Sequence, residues 1–285
     1  MTPVPKTKRP LSGHGKAGAE QLTRLGLNTE LPTSLETAGL DGLADLATSA
    51  HAPFSRDGAR LNIACPNGER RRFSRETIRQ YIEQAARFPN VKLIVCHAAP
   101  KVWYARKDGA LQQTGEYALL IEGLRELADA AATHGLDLVM ENNRAYYHDE
   151  FPLGPGRADG PSDNFYIGTA PEEWRLIARD VDRDNFGLCL DTSHASTFCH
   201  LFPADERAAV LMRYLAEPEL IRHVHWSDSL LHDEAGRKDM HLCVGEGTLP
   251  AAAHRAILDL DATILLEHFY DVPRLEKELE FISRL

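Results

Sequence analysis

Eight short apolar runs recur along this chain, and most of them stop on an ionisable residue just before a stretch of helical period begins. The clearest are NVKLIVCHAAP, ending in His97; GLDLVMENN, ending in Glu141; FGLCLDTSH, with Asp191 and His194; LIRHVHWSD, with His225; and ATILLEHF, with Glu267. ATSAHAPF carries His51, GLNTEL (26–31) is a further strand-like run, and RPLSGHG is a weak first one. The runs are continuously apolar rather than alternating, which marks strands covered on both faces and therefore a parallel sheet. Between them LETAGLDGLADLAT, SRETIRQYIEQAARF, TGEYALLIEGLRELADAAATHG, PEEWRLIARDV, DERAAVLMRYLAEP, AAAHRAIL and VPRLEKELEFISRL read as helices. Eight such units in 285 residues predict an α/β fold, a closed (β/α)8 TIM barrel. The barrel is expected to be one domain over 10–285, behind a polar, proline-rich tail at 1–9 expected to be disordered. An open doubly wound sheet is the competing architecture, but GHGKAG has neither the spacing nor the preceding strand of a dinucleotide-binding turn.

The bulk properties narrow the function classes. No run of about 18 apolar residues occurs, so no membrane span is expected. The five cysteines form no CxxC pair, and reduced thiols in a cytoplasmic enzyme are the simpler reading. The net charge of −10 is spread along the chain, which disfavours nucleic acid as a partner and leaves a small-molecule substrate as the expected one. The single dense basic run, ERRRFSR at 69–75, reads as a solvated helix start. A homo-oligomer is compatible with all of this. The segment 144–169, rich in Gly, Pro, Asp and aromatics, is long enough to be a lid or a loop packed on itself.

Barrel closure brings the C-terminal strand ends to one rim, where such folds build their sites. Singly, each polar strand end has a bland explanation, since an Asp after a strand is often a helix cap and a nearby His a hydrogen-bonded bystander. Together, His51, His97, Glu141, Asp191, His194, His225 and Glu267 would crowd half-buried charges that a divalent cation compensates. Imidazole and carboxylate ligands without thiolate suit Zn, Mn, Fe or Co better than Ca. KDMHLCVGEGTLP adds Asp239 and His241 at a spacing of two, expected as an extended segment with both side chains on one face. His134, His148, His200, His232, His254 and His268 read as surface or packing residues. His14 is a weaker approach to the rim, and His223 a hydrogen-bonding support one layer below His225.

The set resembles the endonuclease IV / xylose isomerase-like barrel superfamily over nearly the whole chain, most specifically in GLCLDTSHA, HVHWSDS and DMHLCVGEG. The resemblance implies one to three divalent ions. In the nuclease branch nine ligands hold three metals, and His51, His97, Glu141, Asp191, His194, His225, Asp239, His241 and Glu267 would take those positions. In the sugar isomerase and epimerase branch Glu141, Asp191, His225 and Glu267 would hold one. Ser193 and Ser227 stand where the nucleases have Cys and Asn, and the segment after His51 lacks their Tyr-led DNA-entering pattern. The favoured expectation is therefore a metal-dependent isomerase or epimerase acting on a small sugar, sugar phosphate or related keto or hydroxy compound through an enediolate. Glu141 and Glu267 would be base and acid, and His194, Arg144, Trp103 and Phe54 would contact substrate. An AP-endonuclease-like phosphodiesterase and a multinuclear iron oxidative enzyme are the alternatives.

Overall fold

The computed structural model describes residues 7–35, 40, 42–97, 99, 102–104, 111–147, 166–268 and 272–285. Its eight barrel strands are β1 Leu11–Gly13, β2 Thr29–Leu31, β3 Ala47–His51 and β4 Leu93–His97. They continue with β5 Asp137–Glu141, β6 Phe186–Asp191, β7 Ile221–Trp226 and β8 Thr263–Leu266. Every neighbouring pair from β2 round to β1 is parallel, and each strand lies beside its successor in sequence. The last seam is joined by a parallel bridge between Ser12 and Asn28, with Gly13 N donating to Asn28 O at 2.9 Å and Asn28 N to Leu11 O at 3.0 Å. The (β/α)8 architecture expected from the alternation is the one observed.

The period of two along a strand sorts the side chains. Outward residues such as Ile94, Leu138, Met140, Leu188, Leu190 and Val224 pack under the helices in the main core. Inward residues form a separate small cluster of Leu93, Val95, Val139 and Cys189. One step of two further along the same strands come His97, Glu141 and Asp191. The barrel thus has an apolar floor, and its polar layer begins where the strands end.

Helices α1 Ala19–Leu25, α2 Gly68–Ala85, α3 Tyr117–Ala132 and α4 Pro171–Val181 are followed by α5 Thr192–Cys199, α6 Arg207–Tyr214, α7 Ala251–Leu258 and α8 Val272–Ile282. In α3 the buried Leu120, Leu124, Leu127, Ala128 and Ala131 recur at helical spacing and form the face laid on the sheet. Each such fully buried leucine contributes roughly 1.5–3 kcal/mol. In α4, Pro171 opens the helix where its missing N–H costs nothing, and Trp174 is buried with its indole nitrogen donating to Met140 O at 3.1 Å. That bond fixes the helix against β5 just below Glu141.

Three local readings change. LETAGLDGLADLAT was expected as a helix over 35–48, but residues 42–46 form turns and β3 starts at Ala47. Gly42 takes a left-handed φ of 74°, which ends any helical run there. After β6, helix α5, which the sequence reading did not name, begins at once from Asp191. The basic run at 69–75 does start a helix, with Asn67 accepting from Glu69 N at 3.1 Å and Arg70 N at 3.0 Å. Arg75, however, is buried between Glu122 and Glu126 of α3 at 2.6 and 3.0 Å, so the run is not wholly solvated.

Outside the barrel, Ser55–Arg56 pairs with Ala59–Arg60, and Val102–Tyr104 with Leu111–Thr114, as short antiparallel ribbons. Residues 148–165, most of the long segment singled out above, and His148 with them, lie outside the described residues. Of the tail, Arg9 is described and pairs with Asp261 at 2.7 Å. Among the described residues no helix is long and apolar enough to cross a membrane.

Candidate metal centre

Ligand atoms of Glu141, Asp191, His225 and Glu267 all lie within 4.8 Å of one another at the mouth of the barrel. Two further groups share the rim: His51 with His97 and Glu141, and Asp191 with His194 and His241. Glu141 is the hinge of the arrangement. Its Oε2 stands 3.3 Å from His51 Nε2 and 3.3 Å from His97 Nε2, while Oε1 faces His194 Nδ1 at 3.1 Å and His225 Nδ1 at 3.5 Å. Glu267 Oε2 lies 3.3 Å from His225 Nδ1, and Asp239 lies 3.3 Å from His194 Nε2 and 3.1 Å from His241 Nε2. All nine ligand positions expected from the sequence are therefore gathered at one mouth.

The second nitrogen of most of these imidazoles explains why the first is available. His51 Nδ1 bonds Ala52 O at 2.9 Å, His97 Nδ1 bonds Asn143 Oδ1 at 3.2 Å, and His241 Nδ1 bonds Glu267 O at 2.9 Å. His194 Nδ1 bonds Asn142 O at 2.8 Å. A carbonyl oxygen only accepts, so each Nδ1 carries a proton, and in the neutral ring, the form that binds a cation, each Nε2 presents a lone pair to the rim. Lone pairs and carboxylate oxygens thus face one another. Asp191 Oδ2, His225 Nδ1, Asp239 Oδ1 and Glu267 Oε2 are buried and make no hydrogen bond among the described residues. Convergent acceptors without donors are what a cation would satisfy, and the donor set fits a borderline divalent ion.

Charge crowding leaves its mark on ionisation. Burial works against the Glu141 charge, but His97, His225 and His194 hold the carboxyl well below its usual range. Burial likewise opposes ionisation of Glu267, which His225 and His241 bring down to about 2. Asp191 goes the other way: burial pushes it well above the ordinary value despite His194 and His241. Burial lowers His97 to about 4, whereas His241 rises to about 10 because Glu267 and Asp191 outweigh its burial.

Local structure delivers these groups. Asp191 ends β6 and caps α5, accepting from His194 N at 2.9 Å, so the bland cap and the candidate ligand are one residue. Asn142 locks the same strand end, donating to Asp191 O at 2.9 Å and accepting from Asp191 N at 2.7 Å. The 239–241 arm differs from the extended segment expected: His241 has φ 42°, a left-handed conformation uncommon outside glycine. Ser193 Oγ holds that turn by accepting from Met240 N at 3.0 Å and His241 N at 3.2 Å. In GEG, Gly245 has φ 96°, and a Cβ on Gly247 would meet Asp228 Oδ1 at 2.3 Å and Ser229 O at 2.4 Å. The glycines allow the loop to pack flat on the end of β7.

A cavity of about 670 Å³ opens over the cluster and is lined by Glu30, His51, Phe54, His97, Glu141, His194, Asp239, His241 and Glu267, with His14 and Lys16 at its edge. Phe54 is partly exposed, its ring 5.4 Å from that of His97. His14 therefore reaches the rim. Arg144 is not among the lining residues; its guanidinium lies 4.7 Å over the Tyr146 ring. The Trp103 side chain lies outside what is described. His223 is buried below His225 as expected, bonding Thr263 Oγ1 at 2.6 Å. His254 and His268 are buried packing residues, the first beside Asp228 at 3.5 Å and the second hydrogen-bonded to Glu278.

One residue of the site was missed. Glu30, in the middle of β2, lies 3.3 Å from both His223 Nε2 and His225 Nε2 and accepts from Ser49 Oγ at 2.8 Å. In GLNTEL a lone Glu between Thr and Leu looks like an ordinary solvent-facing position. Only the closed barrel turns it inward, and the signal available was that a strand covered on both faces has no solvent side.

The sequence pattern of the xylose isomerase-like TIM barrel matches residues 28–285, which is most of the chain. The chain belongs to that family. A relative, the uncharacterized protein MJ1311 of Methanocaldococcus jannaschii, is 27% identical over 201 residues, 70% of this chain and 55% of the relative. This chain thus matches about half the length of that relative. Among solved structures, a D-tagatose 3-epimerase-like protein superposes with a TM-score of 0.65 at 20% identity, covering 97% of this chain and 99% of that one. The 3-keto-D-glucoside 4-epimerase YcjR from E. coli gives 0.66 at 16% identity, covering 98% and 100%. At these identities the structural matches establish the shared barrel.

Proposed function

We propose that the chain is a divalent-metal-dependent isomerase or epimerase of a small polyhydroxylated carbonyl compound. The observation that carries the reading is the pairing of two ionised carboxylates, Glu141 and Glu267, on a sugar-sized cavity. Glu141, Asp191, His225 and Glu267 would hold the cation, which when bound would polarise substrate oxygens and acidify the neighbouring C–H. Acidification is essential to the reading. A carboxyl near 2, like that of Glu267, is fully ionised at neutral pH but a weak base, and takes a carbon-bound proton only from a strongly activated position. Glu267, with a side chain 20% exposed, is the more open of the pair and is assigned proton removal; Glu141, at 2%, is assigned delivery of a proton to the other face, which it must first take up from solvent or a substrate hydroxyl because it starts ionised, while Glu267 gives its proton back to solvent. His194 would hold a substrate oxygen, and Phe54 would cover an apolar sugar face. Both epimerase-type neighbours are consistent with this class of substrate.

Exchange of a substrate C–H with heavy water tests the assignment. On a ketose panel that includes D-tagatose, the metal-loaded chain should catalyse exchange, and Glu267→Gln should slow it about 10²–10⁴-fold. Exchange unaffected by both Glu267→Gln and Glu141→Gln would remove these roles.

A second reading, metal-assisted phosphodiester hydrolysis, is favoured by one specific observation: three ligand groups share the rim, more than one ion needs. It is opposed by the cavity wall, where Lys16 is the sole Lys or Arg among the described lining residues. Incubation of the fully metal-loaded chain with abasic-site DNA separates the two, since nicking supports hydrolysis and its absence excludes it.

A further inference from the structure

Glu30 touches no other candidate ligand besides His225 among the described ion pairs of the rim, and it sits on the side of that imidazole away from Glu141 and Glu267. We infer that Glu30 is the positioning residue that keeps the proton of His225 on Nε2 and so leaves Nδ1 as the atom open to a cation. This rests on the reading that the rim holds a metal.

The other imidazoles of the rim have carbonyl acceptors on Nδ1, and His51, His97 and His241 face the site through Nε2 alone, whereas His194 meets rim carboxylates through both nitrogens. His225 is reversed. Its Nδ1 looks at Glu141 Oε1 and Glu267 Oε2, at 3.5 and 3.3 Å, and its Nε2 looks at Glu30 Oε1 at 3.3 Å. Among the described residues no backbone carbonyl is placed to choose the tautomer, so the choice falls to a side chain. Both nitrogens face carboxylates, so a cation makes the difference: held among Glu141, Asp191 and Glu267 it takes the lone pair of Nδ1, and the one ring proton stays on Nε2 against the Glu30 carboxylate.

The surroundings hold Glu30 to that task. Its Oε2 is engaged from the opposite side by Ser49 Oγ at 2.8 Å and by His223 Nε2 at 3.3 Å. His223 is in turn anchored through Nδ1 to Thr263 Oγ1 at 2.6 Å. The thiol of Cys189, which burial pushes up to about 12, lies within 4.8 Å of both imidazoles and adds no charge. Glu30 is therefore a carboxylate shared by two neighbouring histidines, with Ser49 and Thr263 as its outer supports. An amide in its place has one acceptor and one donor end and cannot serve both imidazoles alike.

The test reads the tautomer directly. In the Zn²⁺-loaded chain labelled with ¹⁵N at histidine, long-range proton–nitrogen spectra should show His225 protonated on Nε2, its signals assigned by their loss in His225→Asn. Glu30→Gln should move the His225 Nε2–H signal of the Zn²⁺-loaded chain and weaken Mn²⁺ binding, measured by calorimetry, about 10–100-fold. Glu30→Asp, which keeps the charge, should recover part of both effects, which a purely structural loss would not. A wild-type His225 carrying its proton on Nδ1 overturns the inference without any variant. So does a folded Glu30→Gln chain with unchanged Nε2–H signal and Mn²⁺ affinity. Failure of the wild-type chain to bind Mn²⁺ or Zn²⁺ would instead defeat the metal reading, and the inference with it.

Discussion

A Glu141→Gln chain purified without chelators is expected to lose bound metal far beyond what Glu267→Gln removes. Glu141 is the only carboxylate common to the His51–His97 group and the Asp191–His225–Glu267 group among the described residues. Replacing one of its oxygens by an NH₂ puts donor hydrogens where lone pairs of His51, His97 or His225 already point. Two ion positions are thereby spoiled at once. Elemental analysis should show the loss beside a wild-type control, with affinity at the retained positions down at least about 100-fold. Glu267→Gln, which enters only one group, should leave the His51–His97 position occupied. Equal metal content in wild type and Glu141→Gln would refute the shared-carboxylate geometry.

Asp228→Ala is the largest stability effect expected outside the ligand set. Asp228 is buried three residues beyond His225 and accepts from Ser229 N at 2.9 Å, Leu249 N at 3.1 Å and Gly245 N at 3.0 Å. Its backbone also pairs with Leu242, so one residue ties the 242–249 loop to the end of β7. Alanine leaves three N–H groups without their acceptor, and at about 1–3 kcal/mol for each buried orphan the loss should reach about 3 kcal/mol or more. For a chain of 285 residues this is a fall in Tm of roughly 5 °C or more. A calorimetric Tm within about 2 °C of wild type would show that water replaces the carboxylate without cost. Burial disfavours the Asp228 charge, but His254 and the amides of Leu249 and Gly245 hold the carboxyl below its usual value. Its folded-state value being depressed, its contribution is complete above the unfolded value of roughly 3.9 and is lost only as pH falls through the lower folded one. Acidification from neutral to about pH 5 should therefore not reproduce the effect of the alanine.

Much of this site is legible in the amino-acid sequence alone, and the reason is geometric. In a parallel barrel each strand contributes its last inward residue to one rim, so His51, His97, Glu141, Asp191 and His225 stand out at the ends of apolar runs. Their convergence needed only closure. What stays hidden depends on conformation within a single turn. His241 comes to Asp239 through a left-handed backbone held by Ser193, not through the alternation of an extended segment. Asp191 reads as a ligand or as a cap, and nothing in DTSH says that it is both. Glu30 is concealed by its ordinary neighbours, since its partners His223 and His225 are nearly two hundred positions away. The helix expected over 35–48 does not run through 42–46 for a simpler reason: apolar spacing favoured it there, and the left-handed Gly42 did not allow it.

The central claim is that the strand ends form a cation site, and anomalous diffraction tests it most directly. Crystals soaked in Zn²⁺ or Mn²⁺ should show a strong peak enclosed by Glu141, Asp191, His225 and Glu267, within bonding reach of His225 Nδ1. Well-ordered side chains at that mouth with no anomalous signal between them, under soaking conditions that place the metal elsewhere on the protein, would contradict the account.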